Sequence, residues 1–198
     1  MLKRLAPLVY LLVFLTGCAT SSAPGNATYG THVISRNAVV HEGPELVAAV
    51  AYLQGKSSVA DEFLVLGVEF SGARGGRPLV IDRSAITVRT PDGRRLPLIS
   101  EHDYRAAFPK LRVTIQRTMA FLPLLHLSHP TQVGCGRWFL ATDFGDLTYD
   151  QIPVNAMGVC SGPLVFGVHG GVQPGRWRLV IELEESIADI PFEIELDQ

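Results

Sequence analysis

The chain has 198 residues, 47% of them apolar, with 17 Lys and Arg against 19 Asp and Glu for a formal charge of −2. That balance, with acids in slight excess, does not favour nucleic acid as a partner. The apolar share is too high for a chain that stays disordered.

The N-terminus reads as an address. Lys3 and Arg4 form a short basic start, and Leu5 to Leu15 follow as an apolar run broken only by Pro7. These are the two opening parts of a secretory signal. The run is about a dozen residues, short of the about 20 that a membrane span needs.

It ends in Leu15-Thr16-Gly17-Cys18, which resembles the lipobox of bacterial lipoproteins. The resemblance implies that residues 1–17 are a signal peptide cut off before Cys18. It also implies a diacylglycerol on the Cys18 thiol and usually an acyl group on the new amino terminus. Ala19 in place of an acid implies, by the same resemblance, the outer membrane at its periplasmic face. Two or three acyl chains hold a protein durably, where one alone binds marginally. The competing reading is an ordinary secretory signal followed by an incidental cysteine.

Residues 18–30 are small, polar and uncharged after the cysteine, so they cannot bury enough apolar surface to order themselves and read as a tether. Asn26-Ala27-Thr28 matches a glycosylation acceptor, which is incidental in a bacterial tether. Residues 31–198 are long enough for a single domain with a substantial core.

Leu46 to Leu53 is ambiguous between helix and strand. Phe63 to Phe70 is apolar at nearly every position, as in a strand buried on both faces. Ile86 and Val88 alternate with Thr87 and Arg89, Pro91-Asp92-Gly93 supplies a turn, and Leu96 and Leu98 continue the apolar face on the way back. Together these predict a hairpin. Ser100 and Asp103 resemble a capping box, and Tyr104, Phe108, Leu111, Ile115 and Met119 recur at helical spacing, with Pro109 expected to break or kink the helix.

Nearer the C-terminus, Pro163 to His169 reads as a strand and Gly170 to Gly175 as a turn. Trp177, Leu179, Ile181 and Leu183 mark one face of the strand that follows. The last strand, Ile190 to Leu196, alternates strictly, and Pro191 assigns it to an edge or a strand start. One wet and one buried face is the antiparallel signature.

Short strands between Gly and Pro turns predict a mainly β fold, an antiparallel sandwich with a short helical insertion near residues 100–120. Val68-Glu69-Phe70, the Pro91-Asp92-Gly93 hairpin and Pro174-Gly175-Arg176-Trp177 resemble the immunoglobulin-like domains of bacterial lipoproteins without an assigned activity. That resemblance spans residues 60 to 196 and implies a fold but no chemistry. Residues 100–160 exceed a minimal sandwich and read as elaborated loops.

Cys135 and Cys160 form an even pair in a chain with an export signal, which reads as a disulfide. Metal ligation or a nucleophilic thiol are the alternatives. His126 and His129 have the spacing of metal ligands, yet Pro123 and Pro130 interrupt any helix there and no Glu completes a metalloprotease pattern. Gly134-Cys135-Gly136-Arg137-Trp138 looks superficially like a cysteine-protease segment, without an assignable His and Asn partner. Asp143, Asp146 and Asp150 lack the alternating spacing of an EF-hand. Trp138, Phe139, Phe144 and Tyr149 read as core, with an exposed ligand surface as the alternative.

Ser71 to Ala120 holds ten bases and four acids, whereas Ala141 to Gln198 holds two bases and ten acids. The pattern reads as two halves facing each other in one fold, the alternative being a dipolar surface for a charged partner.

These readings converge on a lipid-anchored envelope protein without catalytic activity, cofactor or metal. It would serve as a protein-interaction or accessory module, with the membrane and an envelope protein as partners. The alternative is a periplasmic enzyme or a ligand- or metal-binding protein. Its site would lie in the loops of 100–160, with His102, His126 or His129 converging on acids.

Overall fold

The computed structural model describes residues 29–52, 62–122, 124, 133–141 and 147–195. Within them the chain forms β1 (Gly30–Ser35), β2 (Ala38–Glu42), β3 (Leu46–Tyr52), β4 (Phe63–Gly72) and β5 (Leu79–Asp82). A 3₁₀ turn at Arg83–Ala85 leads into β6 (Ile86–Arg89), β7 (Arg95–Pro97) and helix α1 (Glu101–Met119). The remaining strands are β8 (Val133–Gly134), β9 (Gln151–Val154), β10 (Gly158–Gly167), β11 (Gly175–Glu182) and β12 (Ile187–Ile194).

The strands make a six-stranded sheet in the order β1-β2-β3-β4-β10-β8, a four-stranded sheet in the order β12-β11-β6-β7, and a β5–β9 pair. All pairings are antiparallel except the short one between β8 and β10. Set β4, β6, β7, β10, β11 and β12 as strands B, C, C′, E, F and G. The orders β3-β4-β10 and β7-β6-β11-β12 are then those of an immunoglobulin sandwich. The chain departs from that plan by adding β1 and β2 to one edge, by placing α1 after β7, and by the parallel direction of β8.

Strand β4 explains why two layers become three. Leu64, Leu66, Val68 and Phe70 share one buried core with Ile86, Val88, Leu179, Ile181 and Ile190 of the facing sheet. The opposite face of β4 is covered by α1. Gly67 stands there because Thr118 leaves no room: its carbonyl oxygen and Cγ2 lie 3.2 and 3.3 Å from where a Cβ would sit. A strand apolar at nearly every position is thus one buried on both faces.

Helix α1 starts where the sequence places it. The Ser100 hydroxyl accepts a hydrogen bond from the Asp103 N–H at 3.1 Å, satisfying one of the donors a helix leaves open. Tyr104, Phe108, Leu111 and Ile115 are all buried against the sheet. The expected break at Pro109 does not occur, since the helix runs unbroken from Glu101 to Met119. Both Pro109 and Arg105, four residues before it, are on the exposed side. The carbonyl that loses its donor at Pro109 therefore faces water, and the buried face keeps its hydrogen bonds.

Leu46–Tyr52, ambiguous in sequence, is a strand, and every residue from Ala48 to Tyr52 is buried. The hairpin is as expected: β6 and β7 pair across a turn in which Gly93, at φ +87°, donates to the Thr90 carbonyl at 2.9 Å. Strand β12 lies at a sheet edge with Pro191 inside it. The strand expected at Pro163–His169 is longer and begins at Gly158.

Candidate functional site

Three structural features assemble a cleft beside the long strand β10. The first is β8, which pairs Val133 with Gly158 and Gly134 with Val159. That register brings Cys135 next to Cys160, and the two are joined by a disulfide with Cα atoms 5.0 Å apart. The Cys135 N–H also donates to the Val159 carbonyl at 3.3 Å. In an immunoglobulin domain the disulfide crosses between sheets. Here it pins the segment after β8 to its own sheet.

The second feature is the turn that follows. Gly136 adopts φ +62°, a left-handed conformation that costs glycine nothing. It redirects the chain so that Trp138, Phe139 and Leu140 are buried. The Trp138 indole donates to the Pro163 carbonyl at 2.7 Å and its ring centre lies 5.6 Å from that of Phe70. Trp138 and Phe139 are therefore core residues, as the sequence suggests.

Two braces hold this segment from the other side. Arg83 donates to the carbonyls of Phe139, at 2.7 Å, and Ile99. Burial lowers the Arg83 pKa, opposed by the nearby Asp150 and Glu101 carboxylates. The Tyr104 hydroxyl of α1 donates to the Ala141 carbonyl. Both braces satisfy carbonyls that the irregular backbone leaves without a ladder partner.

The resulting cleft has a volume of about 330 Å³. Cys135, Arg137, Trp138, Leu140, Leu147 and Ser161 contribute to its lining. The Arg137 guanidinium sits 5.3 Å from the centre of the Tyr149 ring, an arrangement that orients the cation while leaving its edge open. Leu147 is 73% exposed, and Met157, in the turn before β10, is 82% exposed. One oriented cation, one hydroxyl and the exposed apolar side chain of Leu147 suit recognition of an acidic group flanked by apolar surface. Cys135, being bridged, is not a nucleophile.

The other candidates fall as follows. Cys18, His126, His129, Asp143, Phe144 and Asp146 lie outside the described residues. His102 is exposed in the first turn of α1, and Asp150 is exposed while its carbonyl accepts from the Arg83 N–H at 2.7 Å. Tyr149 is half-buried under Arg137. Among the described residues no three His, Cys, Asp or Glu side chains gather as a metal site would require, and no helix is long and apolar enough to cross a membrane.

Arg137, Tyr149, Ser161 and the brace at Arg83 were not legible as a group. The Gly134-Cys135-Gly136-Arg137 run was the one signal pointing to the place. Comparison with protein-family models, with curated proteins and with solved structures finds no match to this chain.

Proposed function

We propose that the chain is a lipid-anchored envelope protein, held through Cys18 at the periplasmic face of the outer membrane. There it binds another envelope protein without catalysing a reaction. The observation that carries this reading is the Cys135–Cys160 disulfide. Such a cross-link persists in an oxidising compartment and is rare where thiols are kept reduced, so it supports export in agreement with the basic-apolar N-terminus. Leu147 in the lining of the cleft supports a protein contact, since it is a large apolar side chain held in water.

The test is photo-cross-linking in intact cells from a probe at position 147, followed by mass spectrometry. A defined envelope protein, recovered from the wild-type cleft and lost with Arg137→Glu, is the expected result. Recovery of nothing above a lipid-only control overturns the reading.

The oriented cation favours a second reading, in which the cleft takes a small anionic ligand. Arg137 on Tyr149, with Ser161 in the same lining, supports it. Thermal stabilisation by a carboxylate or phosphate compound, absent in Arg137→Gln, would select this reading over the first.

A further inference from the structure

The outer face of α1 is an exposed surface on which no described element packs. Tyr104, Ala107, Phe108, Leu111, Thr114, Ile115 and Thr118 face inward. At 100° per residue, His102, Ala106, Pro109 and Val113 form the crest of the opposite side, with Gln116 beside them, all exposed. Val113 is 46% exposed, and Phe121, just past the helix end, is 42% exposed. Arg105 and Arg112 flank the crest on one side, Lys110 and Arg117 on the other.

Charge is distributed unevenly along this face. Glu101 and Asp103 occupy the first turn, and Arg105 pairs with Glu101 at 2.6 Å. From Tyr104 to Ala120 the sequence has no acid. Among the described residues, no carboxylate pairs with Lys110, Arg112 or Arg117.

We infer that this face of α1 rests on the anionic lipid leaflet to which the chain is tethered. A crest apolar from Ala106 to Val113, between two rows of bases, is the pattern of an interfacial helix. The crest enters the boundary of the acyl region while long basic side chains reach the phosphates. An acidic protein partner would match the bases but leave the exposed Val113 on the crest and Phe121 beyond the helix end unexplained.

The inference rests on the lipid-anchor reading, which brings the leaflet within reach. The segment from Cys18 to Tyr29 can extend at most about 40 Å. That equals the width of a domain of this size, whose radius of gyration is about 15 Å. Any face of the sandwich can therefore turn to the membrane, and the bases decide which one does.

Lys110 offers a direct readout, because the chain after residue 17 has only one other lysine, Lys56. The full chain, purified from membranes, is reconstituted in vesicles of phosphatidylcholine or of equal parts phosphatidylcholine and phosphatidylglycerol. A water-soluble acylating reagent is added and the rate at Lys110 is compared with that at Lys56 by mass spectrometry. The expected result is that Lys110 reacts several-fold more slowly, relative to Lys56, on the anionic vesicles alone. Arg112→Glu with Arg117→Glu should abolish the difference, since each base near an anionic surface shifts the population about fivefold. High salt should weaken it.

Equal relative rates on both vesicles, with the chain retained on each, would overturn the docking of α1 while leaving the anchor intact. Failure of the chain to remain on either vesicle would overturn the anchor reading and this inference together.

Discussion

The indole of Trp138 packs directly on the backbone of Gly162. A Cβ at position 162 would lie 2.3 to 2.4 Å from three atoms of that ring. The contact locks the segment carrying the cleft onto β10, and it is possible only because β10 has no side chain there.

Gly162→Ala should therefore be among the most damaging small substitutions in the fold. Neither a buried indole nor a mid-sheet backbone can retreat, so the overpacking should cost about 3 kcal/mol. Urea denaturation followed by tryptophan fluorescence measures it. The double variant Gly162→Ala with Trp138→Leu should lose less than the sum of the two single changes, because they share one contact.

Removing the disulfide should loosen the same segment from its other end. The bridge closes a loop with a sequence separation of 25, for which chain entropy gives about 3 kcal/mol. Cys135→Ser with Cys160→Ser should lower the urea midpoint accordingly. Reducing agent should lower the wild type to the same value and leave the double variant unchanged.

Stability should fall with acid above the carboxylate range because of His41. Burial lowers its pKa from the ordinary 6.5, more than the neighbouring Asp189 and Glu42 carboxylates raise it, with His32 lowering it further. The unfolded chain thus takes up a proton at His41 before the folded protein does, so stability present above pH 6.5 declines as pH drops toward the folded value. His41→Gln should flatten the decline measured by denaturation between about pH 7.5 and about pH 5.5. Asp82, Asp92 and Glu101, whose pKa values are lowered by hydrogen bonds from Ser84, Thr90 and Arg105 respectively, lose their contributions only at lower pH.

One substitution should stabilise. The Thr114 hydroxyl is buried on the inner face of α1 with no hydrogen-bond partner among the described residues. Thr114→Val keeps the shape and removes the polar atom, for a gain of about 1 kcal/mol. A rise in Tm of a few degrees is the expected outcome of thermal unfolding.

Much of the sandwich is written in local pattern. The apolar run at Phe63–Phe70, the hairpin around Gly93 and the spacing of Tyr104, Phe108, Leu111 and Ile115 each carry their own period, and each forms the expected element. Strands β1, β2, β5 and β9 were not legible. β1 is largely exposed and Val80 of β5 is 60% exposed, so neither shows a clear two-residue alternation. Pro109 does not break the helix because a helix tolerates proline when the orphaned carbonyl faces water, which depends on burial and not on sequence.

The cleft was legible only as a pair of cysteines. Arg137, Tyr149 and Ser161 meet because β8 pairs with β10 and Gly136 turns the chain. Those are long-range pairings that no local period encodes. The bases of α1, by contrast, were visible as a charge imbalance, and the fold gathers four of them on one helix face.

The central claim is the lipid on Cys18, and the most direct measurement is the mass of the N-terminal peptide of the mature protein isolated from cell membranes. The account predicts a chain beginning at Cys18 whose peptide carries a thiol-linked diacylglycerol, with Cys18→Ser left uncleaved and unlipidated. A mature chain that begins elsewhere, or that begins at Cys18 with a free thiol, would contradict it.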